Sequence, residues 1–154
     1  MKNPLPIVLL AAAAVLTTMP LGAQEKAMKM SDLPAAVQRT VTAQLAQGAR
    51  LRGLSTDVEG GQREYEAELT LNGKHRDIAM DANGNITEQE DAVALSSLPA
   101  AAQAALRRQG RVLSVERVTH DGKFVALEAV VRAANGRRRE VRVDQAGHAL
   151  PDNG

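Results

Sequence analysis

Two stretches of this 154-residue sequence occur twice, in the same order. The segment LPAAVQ at Leu33–Gln38 returns as LPAAAQ at Leu98–Gln103, and NGKHRDIAMD at Asn72–Asp81 returns as NGRRREVRVD at Asn135–Asp144. Similarity between two parts of one chain indicates a supersecondary unit that has been duplicated. The sequence therefore predicts two diverged copies of one small unit, and a fold for this chain has to accommodate both.

Each copy begins with a pattern typical of an amphipathic helix and continues with a pattern typical of strands. The apolar residues at helical spacing are Leu33, Val37, Val41 and Leu45 in the first copy and Leu98, Ala102 and Leu106 in the second. The period then changes to two, and the residues expected to face the core are Tyr65, Ala67, Leu69, Leu71, Ile78 and Met80, followed by Val125, Leu127, Ala129, Val131, Val141 and Val143. Asn72–Gly73 and Asn135–Gly136 are hairpin signals, and further strands are predicted over Arg50–Val58 and Val112–Thr119.

These patterns predict an α+β fold of two tandem repeats, each a helix plus a four-stranded antiparallel sheet. The first repeat spans residues 31–92 and the second residues 93–150, with a linker at residues 24–30 and a tail at residues 151–154. The two sheets can pack side by side into one longer sheet. One helix covers one face of each sheet, so the other face is expected to be polar and open to solvent.

Residues 1–23 have the pattern of a secretory signal peptide. Lys2 gives a positive start, Ile7–Leu16 is an unbroken apolar run, and Leu21–Ala23 offers small residues before a polar stretch, so cleavage is predicted after Ala23. The alternative is a retained membrane anchor, but a span needs about 20 apolar residues. The chain has no cysteine for a disulfide or a lipid anchor. The sequence therefore favours a periplasmic or secreted bacterial protein with no membrane span after cleavage.

The supply of side chains for catalysis is small. The chain has no Cys, three His and one Tyr, and His75, His120 and His148 are predicted to be separate surface residues. Their spacing matches neither a metal site nor a nucleophile–base pair. Asp81 begins a segment that resembles a calcium loop, but Ala92 stands where the bidentate glutamate belongs, and a β-turn is predicted instead. The sequence therefore predicts no catalytic residue, no metal ligand, no cofactor and no enzymatic activity.

The order of several motifs resembles a known family. These motifs are L-P-x-A-V-Q at Leu33–Gln38, the strand that contains Tyr65–Glu68, the Asn-Gly hairpin, and the aspartate–glycine turns at Asp81–Gly84 and Asp144–Gly147. Together they resemble PepSY-like domains of the β-lactamase-inhibitor-like kind over residues 31–150. The resemblance implies an exported bacterial protein in which a helix packs on a four-stranded antiparallel sheet. It also implies binding or inhibition through the open sheet face rather than catalysis.

Charged side chains on that open face are the candidate contacts with a partner. The candidate partner-binding residues are Glu64, Glu66, Glu68, Asp77, Phe124, Glu128, Val130, Arg132, Arg138 and Arg142. The partner expected is a protein or peptide of the periplasm or envelope, such as an envelope hydrolase. Nucleic acid is not expected, because the charge is balanced and aromatic residues are scarce.

Four other interpretations of the same face stay open. It can be a solvated surface with cross-strand ion pairs, which contribute little to stability. It can be the place where the two copies or two chains meet. It can belong to a sensor of a small ligand or a divalent cation, or to a structural or chaperone-like envelope protein with no fixed partner.

Overall fold

The structure is a computed structural model, and it describes residues 26–59 and 61–151. Its strands are β1 (Lys26–Ala27), β2 (Arg50–Glu59), β3 (Gln62–Leu71), β4 (Lys74–Met80), β5 (Ile86–Ala92), β6 (Arg111–His120), β7 (Lys123–Arg132) and β8 (Arg138–Val143). Its α-helices are α1 (Ala35–Ala46) and α2 (Ala100–Gln109), and short 3-10 turns at Met30–Asp32 and Leu95–Ser97 precede them. No helix in this part of the chain is long and apolar enough to cross a membrane. The predicted signal peptide lies outside the described residues.

All eight strands form one antiparallel sheet in which each strand lies beside its neighbours in sequence. The prediction of two helix-plus-four-strand repeats in an α+β fold is wrong, because the architecture is one mainly β sheet with two α-helices. β5 pairs with β6 from Glu88 opposite His120 to Ala92 opposite Glu116, so no sheet edge divides the chain. Part of the predicted linker is strand β1, which pairs with β2 at Ser55 and Thr56. Continuous pairing satisfies backbone groups that two separate sheets would leave at their edges.

Both helices pack on the same face of the sheet, which the cross-strand register establishes. Arg76, two residues before the core residue Ile78, stands opposite Asp91. Asp91 stands opposite Arg117, and Arg117 stands opposite the core residue Leu127. Residues directly opposite each other on paired strands point to one side of the sheet. We call this side the helix face.

Two hydrophobic clusters fill the helix face, one under each helix. The cluster under α1 includes Leu33, Val37, Val41, Tyr65, Ala67, Leu69, Ile78 and Met80. The cluster under α2 includes Leu98, Ala102, Leu106, Leu127, Ala129, Val131, Val141 and Val143. The predicted inward positions of these strands are confirmed except at Val125, which lies at a β-bulge and belongs to neither cluster.

Neither helix begins with a side-chain cap. α1 begins after Pro34, α2 begins after Pro99, and neither start has a capping side-chain hydrogen bond. Instead, Gln38 Nε2 donates to Leu33 O and Gln103 Nε2 donates to Leu98 O, each at 2.9 Å. These bonds tie the first turn of each helix back to the segment that precedes it. The sequence analysis missed them because a glutamine inside a helix is not a recognised cap.

Thr40 connects α1 to the turn after β4. Its Oγ1 donates to Gly84 O at 2.6 Å in a partly buried position. We expect Thr40→Val to lower the free energy of unfolding by about 1 kcal/mol, because it leaves that carbonyl without its partner. Urea unfolding of the purified protein would measure this. Thr42→Val is the matched control, since the Thr42 hydroxyl is exposed and donates only within α1, to Gln38 O; equal losses in both variants would contradict the tertiary role.

Candidate binding site on the open face

The face opposite the helices, which we call the open face, carries most of the carboxylates of the sheet. These are Asp57 on β2, Glu64, Glu66 and Glu68 on β3, Asp77 on β4, Glu88 and Glu90 on β5, Glu116 on β6, Glu128 on β7 and Glu140 on β8. They occupy it because each alternates with residues that face the helices. The sheet therefore separates apolar side chains on one face from acidic side chains on the other.

Three of these carboxylates form a row across adjacent strands. Glu68 on β3 stands directly opposite Asp77 on β4, which stands directly opposite Glu90 on β5. Adjacent strands are about 4.8 Å apart, and like charges directly opposite each other are destabilising. The row continues to Val118 and Ala126, which are 1% and 0% exposed although neither α1 nor α2 covers this face. The central part of the open face is therefore enclosed enough to weaken the solvation of the carboxylates beside it.

Burial and mutual repulsion change the protonation of three open-face carboxyls. Burial, together with repulsion from the nearby Glu128, Glu116, Glu88 and Asp77, raises the pKa of Glu90 to about 8. Burial likewise raises the pKa of Asp77 to about 6, although His75 acts in the opposite direction. A carboxyl that is protonated near neutral pH ionises readily when a cation approaches it.

Burial also raises the pKa of Glu128 to about 7, even though Arg142 lowers it. The other ionic contacts of the open face involve its histidines. His75 lies 3.5 Å from Asp77 Oδ1 and 3.4 Å from Glu116 Oε1, and His120 contacts Glu88. Both histidines were predicted to be isolated surface residues, but the sheet brings each to a carboxylate.

A row of arginines lies at the far end of the same face. Arg111 on β6 stands opposite Arg132 on β7, which stands opposite Arg138 on β8, and all three are exposed. The carboxylate row belongs to β3–β5 and the arginine row to β6–β8. The open face therefore has an acidic part and a basic part, which can interact with opposite charges on one partner.

The structure places eight of the ten predicted partner-binding residues on the accessible open face. Glu64, Glu66, Glu68, Asp77, Glu128 and Val130 lie there with Arg132 and Arg138. Glu64 accepts a hydrogen bond from Thr87 at 2.8 Å and Glu66 accepts one from Ser55 at 2.9 Å. These bonds restrict the two side chains and fix where their carboxylates lie.

The structure places the other two candidate residues, Phe124 and Arg142, where a partner does not reach them. Phe124 faces the helices, because a β-bulge between Val118 and Thr119 shifts the register of β7 by one residue. Its ring packs against the cluster under α2, with the Arg117 guanidinium 6.0 Å from the ring centre. Arg142 lies on the open face, but it is only 6% exposed. Neither side chain is available to a partner in this structure.

The candidate residues predicted from the sequence did not include the open-face residues Asp57, Glu88, Glu90, Arg111, Glu116 and Glu140. Residues 88–91 of β5 are polar on both faces, so the sequence shows no alternation of apolar and polar side chains there. Glu64, Thr87, Glu88, His120 and Asp121 also line a depression of about 240 Å³. Within residues 26–59 and 61–151, no group of three or more His, Asp or Glu side chains is arranged to hold a metal ion.

Comparison with known proteins identifies the fold. A crystal structure of a protein from Bacteroides eggerthii DSM 20697, described as predicted to be periplasmic, matches with a TM-score of 0.62 at 17% identity, over 77% of this chain and 86% of that chain. A DUF2874 family protein from Bacteroides uniformis ATCC 8492 matches with a TM-score of 0.60 at 18% identity over the same shares. No family model and no curated protein matches the chain. The chain therefore shares the fold of these proteins, and its resemblance to PepSY-like domains stays a prediction.

Proposed function

We propose that this chain is an exported, non-enzymatic binding protein of the bacterial periplasm, and that its open face docks a protein or peptide segment with both basic and acidic side chains. The observation that carries the proposal is the direct row of Glu68, Asp77 and Glu90. The signal-peptide pattern of residues 1–23 supports export. The shared fold with a protein predicted to be periplasmic agrees with that compartment.

A basic side chain is the group that this carboxylate row fits best. A Lys or Arg placed over Asp77 would replace repulsion between opposing carboxylates with attraction and would favour their ionised forms. The enclosed surroundings strengthen such a contact relative to one in bulk water. The acidic part of the open face is therefore suited to a cationic segment.

The arginine row supplies the second contact. Exposed Arg111, Arg132 and Arg138 repel one another in the free protein, as do the carboxylates at the other end of the face. Guanidinium groups bind carboxylates in a bidentate geometry. A partner with a basic block followed by an acidic block would bind both rows in one orientation, and the order of the blocks would determine the direction of binding.

A binding function agrees with the contacts of the potentially catalytic side chains. His75 is placed between Asp77 and Glu116, and His120 contacts Glu88. A general base needs a substrate-facing nucleophile or water positioned by the site. The geometry of these pairs instead supports a charged recognition surface.

Calorimetry with two synthetic peptides tests the proposal. One peptide carries a lysine block followed by a glutamate block, and the other has the same composition with the charges scrambled. At pH 8 we expect Asp77→Asn to weaken binding of the block peptide by about tenfold, or about 1.4 kcal/mol. Asp32→Asn is the control, because it changes the net charge equally from an exposed position outside the sheet.

Arg132→Gln distinguishes the contribution of the arginine row to binding from that of the carboxylate row. It should weaken binding of the block peptide but leave the affinity for a pure lysine peptide unchanged or increased, because it removes a like charge. If Asp77→Asn and Asp32→Asn weaken binding of the block peptide equally, the attraction comes from net charge alone, and this result would contradict a defined site. Equal binding of the block and scrambled peptides would contradict the two-row arrangement.

A further inference from the structure

The last described residues lie along the outer edge of β8. Asp144 N donates to His148 O at 2.9 Å, which turns the chain back on itself. Ala149 then pairs with Val143, and Leu150 N donates to Arg142 O at 3.0 Å. We call Ala149–Pro151 the C-terminal strap. It satisfies part of a strand edge that would otherwise be open to pairing with another chain.

Arg142 joins the strap to the open face. Its side chain is only 5% exposed, and its Nε lies 2.7 Å from Glu128 Oε1. Its Nη1 donates to Pro151 O at 3.3 Å. One buried guanidinium therefore contacts both the carboxylate of β7 and the end of the strap.

The surroundings of Glu128 make this ion pair sensitive to protonation. Arg142 on β8 is its cation, while Glu140 on β8, Glu116 on β6 and Glu88 on β5 are like charges that face it. Glu90 on β5 also interacts with Glu128 electrostatically. Burial, with Glu140, Glu88 and Glu116, opposes ionisation of Glu128 and raises its pKa to about 7. Loss of one partner from a buried ion pair is strongly destabilising, because it leaves the other charge unpaired.

We propose that the C-terminal strap is a pH-sensitive element, held on β8 while Glu128 is ionised and released when Glu128 is protonated. After protonation the Arg142 guanidinium recovers its solvation by moving into water, and it then no longer donates to Pro151 O. Release exposes Arg142 and the backbone groups of β8 that the strap covers.

Hydrogen exchange of the Leu150 amide tests this inference, since that amide donates to Arg142 O. Its protection factor should be lower at pH 5.5 than at pH 8.5 by about tenfold or more, the signature of local opening. Amides of β7, in the interior of the sheet, report global unfolding in the same sample. Unchanged Leu150 protection between the two pH values in the unmodified protein would overturn the proposal.

Two substitutions examine the cause of release. Glu128→Gln should leave Leu150 weakly protected at both pH values, because a neutral side chain cannot balance Arg142. Glu68→Gln, on the same face but away from the ion pair, should retain the pH dependence. If Glu128→Gln also lowers protection in β7, Arg142→Met provides the second test, with weak Leu150 protection expected at both pH values. Retention of the normal pH dependence in either Glu128→Gln or Arg142→Met would contradict the proposed switch.

Discussion

Gly84→Ala is expected to lower the free energy of unfolding by about 3 kcal/mol, since about 1 kcal/mol comes from the left-handed backbone and about 2 kcal/mol from displaced neighbours. Gly84 has φ +78°, and an added Cβ would lie 2.6 Å from Ala36 O and 3.0 Å from Thr40 Oγ1. The first of these neighbours is backbone of α1, which cannot rotate away. The turn after β4 would therefore have to move off the helix, and the Thr40 hydrogen bond to Gly84 O would be strained as well.

Gly73→Ala is the control for this prediction. Gly73 has nearly the same backbone, φ +75°, but nothing lies within 4 Å of an added Cβ. It should therefore lose only about 1 kcal/mol, the contribution of the left-handed conformation. Urea unfolding of both variants, compared with the unmodified protein, measures the difference. Equal losses would show that the close approach of the turn to α1 does not contribute to stability.

The same experiment at Gly147 tests the other helix. Gly147 has φ +83°, and its added Cβ would lie 2.6 Å from Ala101 O in α2. A loss as large as that of Gly84→Ala is expected, because both turns approach helix backbone at the same distance. Sequence comparison identified these two glycines as matching positions, but only the structure shows that each is required by a helix above it.

Local features of the fold could be predicted because they depend on neighbouring residues. The alternation in Tyr65–Leu69 gives the buried side of β3 directly, and its buried positions are confirmed. Asn72 and Gly73 have φ of 52° and 75°, as the predicted two-residue hairpin requires. Where apolar side chains repeat with a strand period, burial of one face determines the register, and the sequence contains the necessary information.

Features that depend on pairing between distant strands could not be predicted in this way. β5 has few apolar residues, so no alternation indicated that it would join β4 to β6 and make one sheet. The bulge that turns Phe124 toward the helices is a property of two strands together, and neither strand shows it alone. Burial of Arg142 depends on Pro151, which becomes its neighbour only after the chain turns back. For the candidate site, the acidic side of β3 was therefore predictable, whereas the row that continues through Glu90 was not.

The free energy of unfolding is expected to fall by about 2 kcal/mol between pH 5 and pH 9, an order of magnitude that is discounted for partial exposure of the carboxyls. The pKa of Glu90 is about 8 in the folded protein and that of Glu128 is about 7, each against an ordinary value of 4.5, and that of Asp77 is about 6 against 3.8. Between these values the folded state binds protons that the unfolded state has released. The stabilisation that these carboxyls contribute is therefore complete at pH values below their ordinary pKa values, and it is lost as the pH rises through 6 to 8. Asp81 and Asp144 have lowered pKa values, so their contribution changes only in stronger acid, outside this range.

Urea unfolding at one-unit steps from pH 5 to pH 9 measures this dependence, and Glu90→Gln identifies its source. The amide stays neutral at every pH, so the variant should be about as stable as the unmodified protein at pH 5 and more stable by about 1 kcal/mol at pH 9. Glu68→Gln, which removes an exposed carboxylate from the same row, should retain most of the slope. If repulsion and burial at the centre of the open face are real, the stability curve must decline toward alkaline pH and flatten in Glu90→Gln. A curve that rises or stays level over this range would mean that the central carboxyls are ionised in the folded protein without any free-energy penalty.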